Sequence, residues 1–572
     1  MSAKYVRWFV TLALVASLFL GGGNALASEN PMKAAALPAC TDPLGCVELG
    51  PADPIHIAYA LAITGPASDL GIDERNGIEL AIGDVGGQIL GHTLQFDGQD
   101  SLCSFAGGQA AGTALAADPS IVAVIGTTCS GEAQGAMPFL SAAGMSMVSP
   151  SNSMPALTEP GNPSNYPGYL RVSWNDKVQG TFAARYAWSV LSATSAATIQ
   201  DESEYSDKLQ EAFVTEFTAL GGTITDQETI LSSDTDMSTA LANIAANAPD
   251  VIFLPVFMPA GGYIINQARA TSGLETTPLL GSDALFNSDV VTAAGANVEG
   301  FKVANPDTNR YGNTYFSDFL PDYQSKFGIS PLSPFHGYAY DAFNIIKDAI
   351  ENVAIVDVDG NIQIGRQALR DALYGITNFT GLTGNLTCDA NGDCADDHIA
   401  IYEYHTGQFP PTHVWPTRIG LVTDQGGIED LSFNYMAYLG LLQAKANLSI
   451  DGVMYAPTGG DYYQALQTCV DAHNELCIAV GFGMATATQD AATNNPGTKF
   501  AILDFSYDTP PSNLRGILFN EKQVGYLAGA LAAGMTSSND VGVVAGMQIP
   551  PVERFVDGYR NGAQCNGPVD VL

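Results

Sequence analysis

The sequence predicts an α/β protein with two doubly wound lobes, followed by a partial α/β lobe of the same general kind. Short apolar runs alternate with helical stretches at the spacing of βαβ units, and this alternation restarts twice along the chain. The length of 572 residues also exceeds what a single core usually supports. Two successive doubly wound units predict two lobes joined by a hinge, with a ligand cleft at the carboxyl ends of their strands.

The first lobe is predicted from residues 55–150. Its strands are predicted in the runs IHIAYALAI, TLQFDGQD, IVAVIG and MSMVSP, and its helices in NGIELAIGDV, GGQAAGTALAAD and GEAQGAMPFLSAAG. After Trp174 the second lobe has strands AATIQ, TITDQETI, VIFLPVF and PLLGSD. Its helices are TFAARYAWSVL, YSDKLQEAFVTEFTALG, MSTALANIAANA and GGYIINQARATSG. Buried runs of this length bounded by turn residues are typical of parallel strands.

Later segments predict further elements. Two helices are expected in SPFHGYAYDAFNIIKDAIENV and GRQALRDALYGI, and residues 384–404 are interpreted as a hairpin with a stapled turn. Residues 409–417, with three prolines, are interpreted as a connector that favours an extended spacer over a packed interface. A third βαβ series then occupies residues 418–572, with strands predicted in RIGLVTD, DGVMYA, LCIAVGF, FAILDF, VGVVAG and PVDVL. This series has the extent of one lobe without its partner.

The chain is strongly acidic, with 59 Asp and Glu residues against 22 Lys and Arg residues and a formal net charge of −37. A surface this negative repels phosphate backbones and anionic head groups, so nucleic acid is not expected as a partner. Hydrophobic residues make up 46% and charged residues 14% of the chain, a globular composition rather than a disordered one. The acidic excess is interpreted as favouring the solubility of an exported protein.

The N-terminus has the pattern of an export signal over residues 1–27. Lys4 and Arg7 precede an apolar run that is short for a membrane span, and Ala25-Leu26-Ala27 forms a small-x-small cleavage site. Residues 28–53 are rich in proline and alanine and are interpreted as a linker. The mature chain is therefore expected to be periplasmic or extracellular.

Eight of the nine cysteines fall into near pairs, and export makes disulfides plausible. The pairs are Cys40 with Cys46, Cys103 with Cys129, Cys388 with Cys394, and Cys469 with Cys477. Metal binding is the alternative, but no pair has CxxC spacing and no histidine pair lies nearby, so no metal site is predicted. Cys565 remains, and an odd cysteine so near the end leads us to expect that its partner and further chain are missing.

Residues 54–408 resemble the leucine/isoleucine/valine-binding protein family, which has the type I periplasmic binding fold. The motifs that carry the resemblance are ITGPASDLGIDERNGIELAI, GTTCSGEA, VSPSNSMPALT, DESEYSDKL, DVIFLPVFMPAGG and GSDALF, in family order. The resemblance implies capture of an amino acid or similar small polar solute, by closure of two lobes, for the permease of an ABC importer. It implies no cofactor.

The resemblance also implies ligand-binding residues in the first lobe. Ser130, in GTTCSG, matches the serine that holds the ligand α-carboxylate, and Cys103 and Cys129 match a family disulfide. Ser151 and Ser153, in SPSNS, match positions that hold the ligand through a backbone carbonyl and a hydroxyl. Taken alone, Ser130 or Ser153 would more often be a serine of a turn or a helix cap, but their place in the set of motifs favours ligand binding.

In the second lobe, Tyr205 matches a tyrosine that closes onto the ligand, and Asp283 matches an acid that faces the α-ammonium. Asp283 alone would be interpreted as a solvated loop acid, but its place at the end of a predicted strand puts it at the cleft edge. Phe257 stands where these receptors often have tyrosine, and Leu70 of the first lobe where they often have tryptophan. These two departures leave the ligand's side chain undetermined.

Residues 418–572 resemble the basic membrane protein family, which includes purine nucleoside-binding lipoproteins. The carrying motifs are GLVTDQGGIEDLSFNYMAYLGL, AVGFGMATATQDAATNNPGTKFAILD and GVVAGMQIPPVERFVDGYRNGA. Phe433, Asn434 and Asp504 match base-contacting positions, although Phe433 is equally consistent with a core residue and Asp504 with a strand-end cap. Family members are about twice as long as this segment, so a lone half-site is expected to bind weakly.

The sequence gives no sign of catalysis, since it lacks GxSxG, HExxH and a phosphate-cradling GxxxxGK[ST] motif. Asp389, Asn391 and Asp393 alternate as in a calcium loop, but the stretch is short and lacks the distal glutamate, so a hairpin turn is predicted. The chain is expected to be a binding protein and not an enzyme. The alternative in a different class is an extracellular sensor of the same fold that signals rather than delivers.

Overall fold

The structure is a computed structural model that describes residues 36–311, 314–430, 432–448, 450–546, 548–565 and 570–571. The expected signal peptide, residues 1–27, lies outside the described residues, as does the linker up to residue 35. Within the described ranges, no helix is both long enough and apolar enough to cross a bilayer. The same ranges contain no group of three or more His, Cys, Asp or Glu side chains arranged to hold a metal ion.

The strands of residues 36–415 are short and mostly buried. In chain order they are β1 (Cys46–Leu49), β2 (Ile55–Leu61), β3 (Gln88–Ile89), β4 (His92–Asp100), β5 (Ile121–Gly126), β6 (Met147–Ser149), β7 (Tyr169–Arg171), β8 (Ser195–Gln200), β9 (Thr223–Thr229), β10 (Val251–Leu254), β11 (Leu279–Gly281), β12 (Lys302–Pro306), β13 (Ile355–Val356), β14 (Ile362–Gly365), β15 (Phe379–Thr380), β16 (Asn385–Leu386), β17 (Ile399–Glu403) and β18 (Thr412–Trp415). The strands that follow are β19 (Arg418–Val422), β20 (Asp451–Tyr455), β21 (Leu476–Val480), β22 (Lys499–Leu503), β23 (Leu514–Ile517), β24 (Asp540–Val541) and β25 (Asp570–Val571).

Helices alternate with these strands as predicted. They are α1 (Ser68–Asp84), α2 (Phe105–Ala116), α3 (Ser130–Ala142), α4 (Asp176–Ser189), α5 (Glu204–Ala219), α6 (Ser238–Asn247), α7 (Ala260–Ala270), α8 (Ser288–Ala294), α9 (Leu320–Phe327), α10 (His336–Val353), α11 (Arg366–Tyr374), α12 (Phe433–Leu448), α13 (Tyr462–Asp471), α14 (Ala485–Asn494), α15 (Glu521–Met535) and α16 (Pro550–Cys565).

Two sheets form the centres of two lobes. In lobe 1 the strands pair in the order β3-β4-β2-β5-β6-β7, parallel except for the β3–β4 pair. In lobe 2 the order is β18-β17-β12-β11-β10-β8-β9. Strand β17 pairs antiparallel with β12, and β18 pairs antiparallel with β17. The predicted fold class, two doubly wound α/β lobes, is confirmed by this arrangement and by the similar structures reported below.

The chain crosses between the lobes after β7, again between β12 and α10, and again between β16 and β17. Helix α10 packs on α1 and on the lobe 1 strands β5 and β6, so the second crossing returns the chain to lobe 1. Several crossings placed side by side form a hinge about which two lobes can rotate. The cleft therefore lies between the sheets, as expected for this topology.

Two sequence predictions were wrong in detail. Part of the predicted linker is β1, which pairs antiparallel with β14 on lobe 1. The predicted hairpin over 384–404 is also not formed as such, because β16 pairs with β15 and β17 pairs with β12. Its turn is real, since the Thr387 N–H donates to the Cys394 carbonyl at 3.1 Å, but the two arms go to different sheets.

The connector at 409–417 differs from the predicted extended spacer. Residues 412–415 form β18, which pairs antiparallel with β17 at the edge of the lobe 2 sheet. The prolines flank the paired residues, where a missing N–H costs nothing to the ladder. Trp415 packs on Phe182 and Tyr186, with ring centroids 4.3 and 5.4 Å away. The connector is therefore part of lobe 2.

The second domain contacts the first unit beside the second crossing, so an interface replaces the expected spacer. The Arg310 guanidinium lies 2.8 Å from the Asp451 carboxylate, and Arg418 lies 3.3 Å from the same oxygen. Arg418 also donates to the Asn309 carbonyl at 2.8 Å. Arg310, Arg418 and Asp451 thus form a triad that joins the first strands of the second domain to residues just after β12. Arg418 and Asp451 are nearly buried.

The second domain has a parallel sheet in the order β20-β19-β21-β22-β23. Helices α15 and α16 pack against each other beyond it, and β24 and β25 form a separate parallel pair. The predicted strand VGVVAG is thus reduced to Asp540–Val541 among the described residues. Leu527, Leu531 and Met535 of α15 are exposed by 64 to 76% and form an apolar face on this helix.

Candidate functional site

A cavity of about 460 Å³ lies between lobe 1 and lobe 2. Its lobe 1 wall includes the start of α3 at Ser130 and the Cys103–Cys129 disulfide, and its lobe 2 wall includes Tyr205 and Phe257. The structure therefore brings three of the predicted ligand residues, Ser130, Tyr205 and Phe257, to one cavity.

Ser130 lies at the first turn of α3, with Cys129 as the preceding cap residue. The Cys129 N–H donates to the Glu132 carboxylate at 2.7 Å, which fixes the entry of the chain into the helix. The next N–H groups of a helix have no partner within it, and they favour an anion at this end. Ser130 and Gly131 line the cavity, so this end of the cavity suits a carboxylate.

Ser151 and Ser153 lie behind this helix start and do not line the cavity. The Ser151 hydroxyl donates to the Thr128 carbonyl at 2.7 Å, so it holds the loop before Ser130 in place. The Ser153 hydroxyl is buried without a hydrogen bond that meets normal geometry. Burial raises the pKa of the neighbouring Asp176 carboxyl, and Ser153 opposes that rise.

Asp283 and Tyr205 are joined on the lobe 2 side. The Tyr205 hydroxyl donates to the Asp283 carboxylate at 2.6 Å, and the Gln179 amide donates to the same oxygen at 2.7 Å. Burial raises the pKa of Asp283 to about 6, and the two donors oppose this rise. Asp283 itself does not line the cavity, because Tyr205 lies on the cavity side of the pair.

Asp176, at the first turn of α4, was missed by sequence reasoning. Its pKa is raised to about 8, mainly by burial and also by the neighbouring Asp283, while Ser153 and Arg171 oppose the rise. Both carboxyls also raise the pKa of Tyr205, whose largest cause is again burial. Asp176 and Asp283 form a buried acidic pair that a ligand cation would stabilise. The sequence shows only an acidic residue near the start of the first predicted helix of lobe 2. This pattern is common in helices and does not indicate a binding site.

Phe257 and Leu70 have different positions relative to the cavity. Phe257 lines it, with its N–H donating to the Asp201 carboxylate at 2.7 Å and its ring 5.2 Å from the ring of Tyr205. Leu70, near the start of α1, is 4% exposed and packs in the lobe 1 core instead. Its chain neighbours Pro66 and Ala67 line the cavity in its place.

A second cavity of about 660 Å³ lies in the second domain. Asp504 lines it together with Phe482, Phe505 and Phe519, and burial raises the pKa of Asp504. Phe433 is 47% exposed and does not line this cavity, but its ring centroid lies 6.3 Å from that of Phe519.

Asn434 is buried, and its amide donates to the Asp424 carboxylate at 2.6 Å, which holds the loop after β19. Sequence reasoning missed the ion pair between Glu521 and Arg554, two contacts of 2.9 and 3.0 Å at the wall of the second cavity. No motif signalled this pair, since its members lie 33 residues apart on α15 and α16.

The structure contains four disulfides, Cys40–Cys46, Cys103–Cys129, Cys388–Cys394 and Cys469–Cys477, and Cys565 is free and exposed. The Cys103–Cys129 bond joins the loop before α2 to the residue before Ser130 and spans 26 positions. We expect its removal by paired serine substitutions to cost about 3 kcal/mol of unfolding free energy in the chain-entropy model. Chemical denaturation measures this loss.

The matched control is the Cys388–Cys394 pair, which spans 6 positions. Because the entropic effect grows with loop length, its removal is expected to cost about 2 kcal/mol. A larger loss from the short loop than from the long one would contradict this account of the disulfide at the cavity.

Comparison with known proteins gives two family matches. A family model described as periplasmic binding protein matches residues 54–408. A second model, described as ABC transporter substrate-binding protein PnrA-like, matches residues 418–570. The resemblances found in the sequence are thereby confirmed. Both families consist of solute-binding proteins without catalytic activity, which confirms the expectation that the chain is not an enzyme.

Individual relatives agree with these matches. The Leu/Ile/Val-binding protein of Escherichia coli K12 is 28% identical over 368 residues, covering 63% of this chain and 95% of the relative. A leucine-binding protein structure from Thermotoga maritima has a TM-score of 0.55 and 25% identity, and covers 62% of this chain and 96% of that one. An uncharacterized lipoprotein of Pyrococcus abyssi is 34% identical over 158 residues, which span 27% of this chain and only 39% of the relative.

Proposed function

We propose, since this chain belongs to the periplasmic binding protein family, that residues 54–408 capture an amino acid or similar small polar solute outside the cytoplasm and deliver it to the permease of an ABC importer. The observation that carries the proposal is the pairing of two charge preferences across one cavity. The start of α3 at Ser130 lines the cavity and favours a carboxylate. The buried pair Asp176 and Asp283 lies next to Tyr205, outside the lining, and its negative charge favours an ammonium at the lobe 2 wall. A zwitterionic amino acid has both groups on one carbon.

Titration calorimetry of the purified full chain against the twenty amino acids tests the proposal. At least one is expected to bind with a clear preference over its amide, which lacks the carboxylate, and over its deaminated acid, which lacks the ammonium. Mass spectrometry of the protein as purified supplies an independent readout, since tightly held solutes survive purification. Equal binding of amino acid, amide and deaminated acid, or no binding of any amino acid, would refute the proposal.

Amino acid binding is expected to release protons at pH 7. In the unliganded protein the carboxyl of Asp176, with a pKa of about 8, is mostly protonated at this pH. An arriving ammonium favours the ionised form and lowers that pKa, so the complex binds fewer protons than the free protein. Affinity should therefore rise as the pH rises toward about 8 and level off above it.

Calorimetry at pH 7 in two buffers of different ionisation enthalpy measures the released protons directly. Asp176→Asn is the matched variant, because the amide keeps the shape of the side chain and has no proton to lose. Proton uptake instead of release, or release that is unchanged in the variant, would contradict the role of Asp176.

For the second domain we propose a half-site for a purine nucleoside. Its cavity combines three aromatic rings with the carboxyl of Asp504, a lining that suits the stacking and hydrogen bonding of a purine base. Because the matched segment spans 39% of the Pyrococcus abyssi relative, weak binding is expected. Inosine and guanosine titrated by fluorescence or NMR test this, and shifts that persist in Asp504→Ala would count against it.

A further inference from the structure

The loop that precedes α2 presents apolar side chains to the cavity. Leu102 and Phe105 are 53% and 56% exposed, and both line the cavity from lobe 1. We call residues 102–105 the rim. Single exposed apolar residues are common on protein surfaces, so their exposure alone carries no conclusion.

The backbone of the rim provides a second, independent observation. Leu102 and Cys103 have φ angles of 60° and 49°, so two successive non-glycine residues occupy the left-handed region. This conformation costs free energy and persists only where the surroundings impose it. Leu102 gains nothing in return from burial, because its side chain faces the cavity and not the core.

The rim is held by three separate anchors. The Leu102 N–H donates to the Asp100 carboxylate at 3.1 Å, Cys103 is bonded to Cys129, and the Ser104 hydroxyl accepts from the Gly107 N–H at 3.1 Å. Through Cys129 the second anchor connects the rim to the residue before Ser130. The apolar side chains are therefore fixed relative to the carboxylate end of the cavity.

Close packing of α2 on α3 makes the support rigid. A Cβ atom on Gly108 would lie 2.2 Å from the Glu132 carbonyl oxygen, and one on Gly135 would lie 2.3 Å from the Phe105 carbonyl oxygen. The two helices can approach this closely only because both positions are glycine. Phe105 thus begins a helix whose position is set by direct backbone contact with α3.

The lobe 2 side of the cavity combines an apolar patch with polar residues, among them Glu202 and Glu204. Phe257, Met258 and Pro259 line the same cavity, and the ring of Phe257 contacts that of Tyr205 and not that of Phe105. Among the described residues that line the cavity there are two acids, Glu202 and Glu204, and no lysine or arginine, so the lining disfavours an acidic side chain. The cavity therefore places two phenylalanine rings on opposite lobes with space between them.

We propose that Phe105 and Phe257 hold the aromatic side chain of the captured amino acid between the lobes, with Leu102 packed against its edge. The proposal rests on the amino acid function proposed above and specifies the ligand's side chain. Aromatic groups between aromatic walls gain from stacked and edge-on arrangements in addition to the area they bury. The strain of the rim is explained because it fixes one wall of this sandwich before the ligand arrives.

Calorimetry of the full chain with L-phenylalanine, L-leucine and L-alanine tests the proposal. The parent is expected to bind L-phenylalanine at least about fiftyfold more tightly than L-alanine, since each added CH₂-sized group that is buried contributes about fourfold. Phe105→Ala should weaken L-phenylalanine binding about tenfold and L-alanine binding less than about twofold. The control Val358→Ala, an exposed apolar residue outside the cavity, should change neither.

Leu102→Asn is a second variant that tests the apolar lining of the rim if Phe105→Ala fails to fold. Asparagine tolerates the left-handed region, so the unliganded variant should melt no lower than the parent while it loses several-fold affinity for L-phenylalanine. Tighter binding of L-leucine than of L-phenylalanine by the parent, or equal losses for L-phenylalanine and L-alanine in the variants, would overturn the proposal while the amino acid function stands. Failure of the parent to bind any of the three would overturn this proposal, and failure to bind any of the twenty amino acids would overturn the proposed function as well.

Discussion

Replacing Asp283 by asparagine is expected to weaken amino acid binding by about 2 kcal/mol, the low end of the cost of removing a buried partner charge, because Tyr205 lies between Asp283 and the ligand ammonium in the cavity. The side-chain carbonyl of the introduced asparagine would still accept a hydrogen bond from Tyr205, so the wall of the cavity is kept. The effect belongs to affinity and not to folding, because the unliganded pair of Asp176 and Asp283 is itself unfavourable. Calorimetry with the amino acid that the parent binds most tightly measures it.

Asp341 provides the matched control. Its carboxyl is also buried, and its pKa is also raised to about 6, but its oxygens accept from the Leu382 and Thr383 N–H groups in lobe 1. Asp341→Asn is therefore expected to lower stability and to leave the affinity of the folded protein unchanged. Unchanged affinity in Asp283→Asn for every ligand, or equal losses in both variants, would remove the role assigned to Asp283.

Asp451→Asn is expected to destabilise the second domain by about 3 kcal/mol. The substitution removes the charge that Arg310 and Arg418 share and leaves the nearly buried guanidinium of Arg418 without its carboxylate. Differential scanning calorimetry of the full chain should show the transition of the second domain at a lower temperature. In the parent, an amino acid bound by the first unit should also raise that transition, and the variant should lose this effect.

Glu216→Gln is the matched control for a surface pair. Glu216 and Arg185 lie 2.7 Å apart, but Arg185 is 56% exposed, so the loss should stay below about 1 kcal/mol. The triad would not couple the two units if Asp451→Asn and Glu216→Gln lowered the melting temperature of the second domain equally. The same conclusion would follow if an amino acid raised only the melting temperature of the first unit in the parent.

The core of the fold was predictable because its signals are local. The strand IVAVIG was predicted with the bounds that β5 has, since every residue in it is buried and glycine ends it. The connector strand β18 was not predictable in this way. Its four residues are too few for periodicity, and their place at the sheet edge depends on pairing with β17, which no local pattern encodes.

The candidate site also contains residues that local motifs predict and residues whose position depends on distant parts of the chain. Ser130, Tyr205 and Phe257 were found through motifs, and they meet at one cavity. Asp176 and Gln179 were not found, because their importance arises from burial and from the approach of Asp283, 104 positions beyond Gln179 in the chain. Leu102 was missed for a different reason: its left-handed backbone is a property of the folded loop, whereas the sequence alone shows an ordinary leucine.

The triad beside the second crossing has a mechanical consequence. A contact near a rotation axis moves little when the bodies on either side turn, whereas points far from the axis sweep long arcs. Arg310 closely follows β12, and β18 hydrogen-bonds along the edge of the same sheet, so the second domain is attached to lobe 2 close to the pivot. When lobe 2 rotates toward lobe 1, we expect the triad to stay intact and α15 and α16 to be displaced further than the residues near the axis. A distance label on α16 and another on α11 of lobe 1 would therefore report a rotation of lobe 2 toward lobe 1.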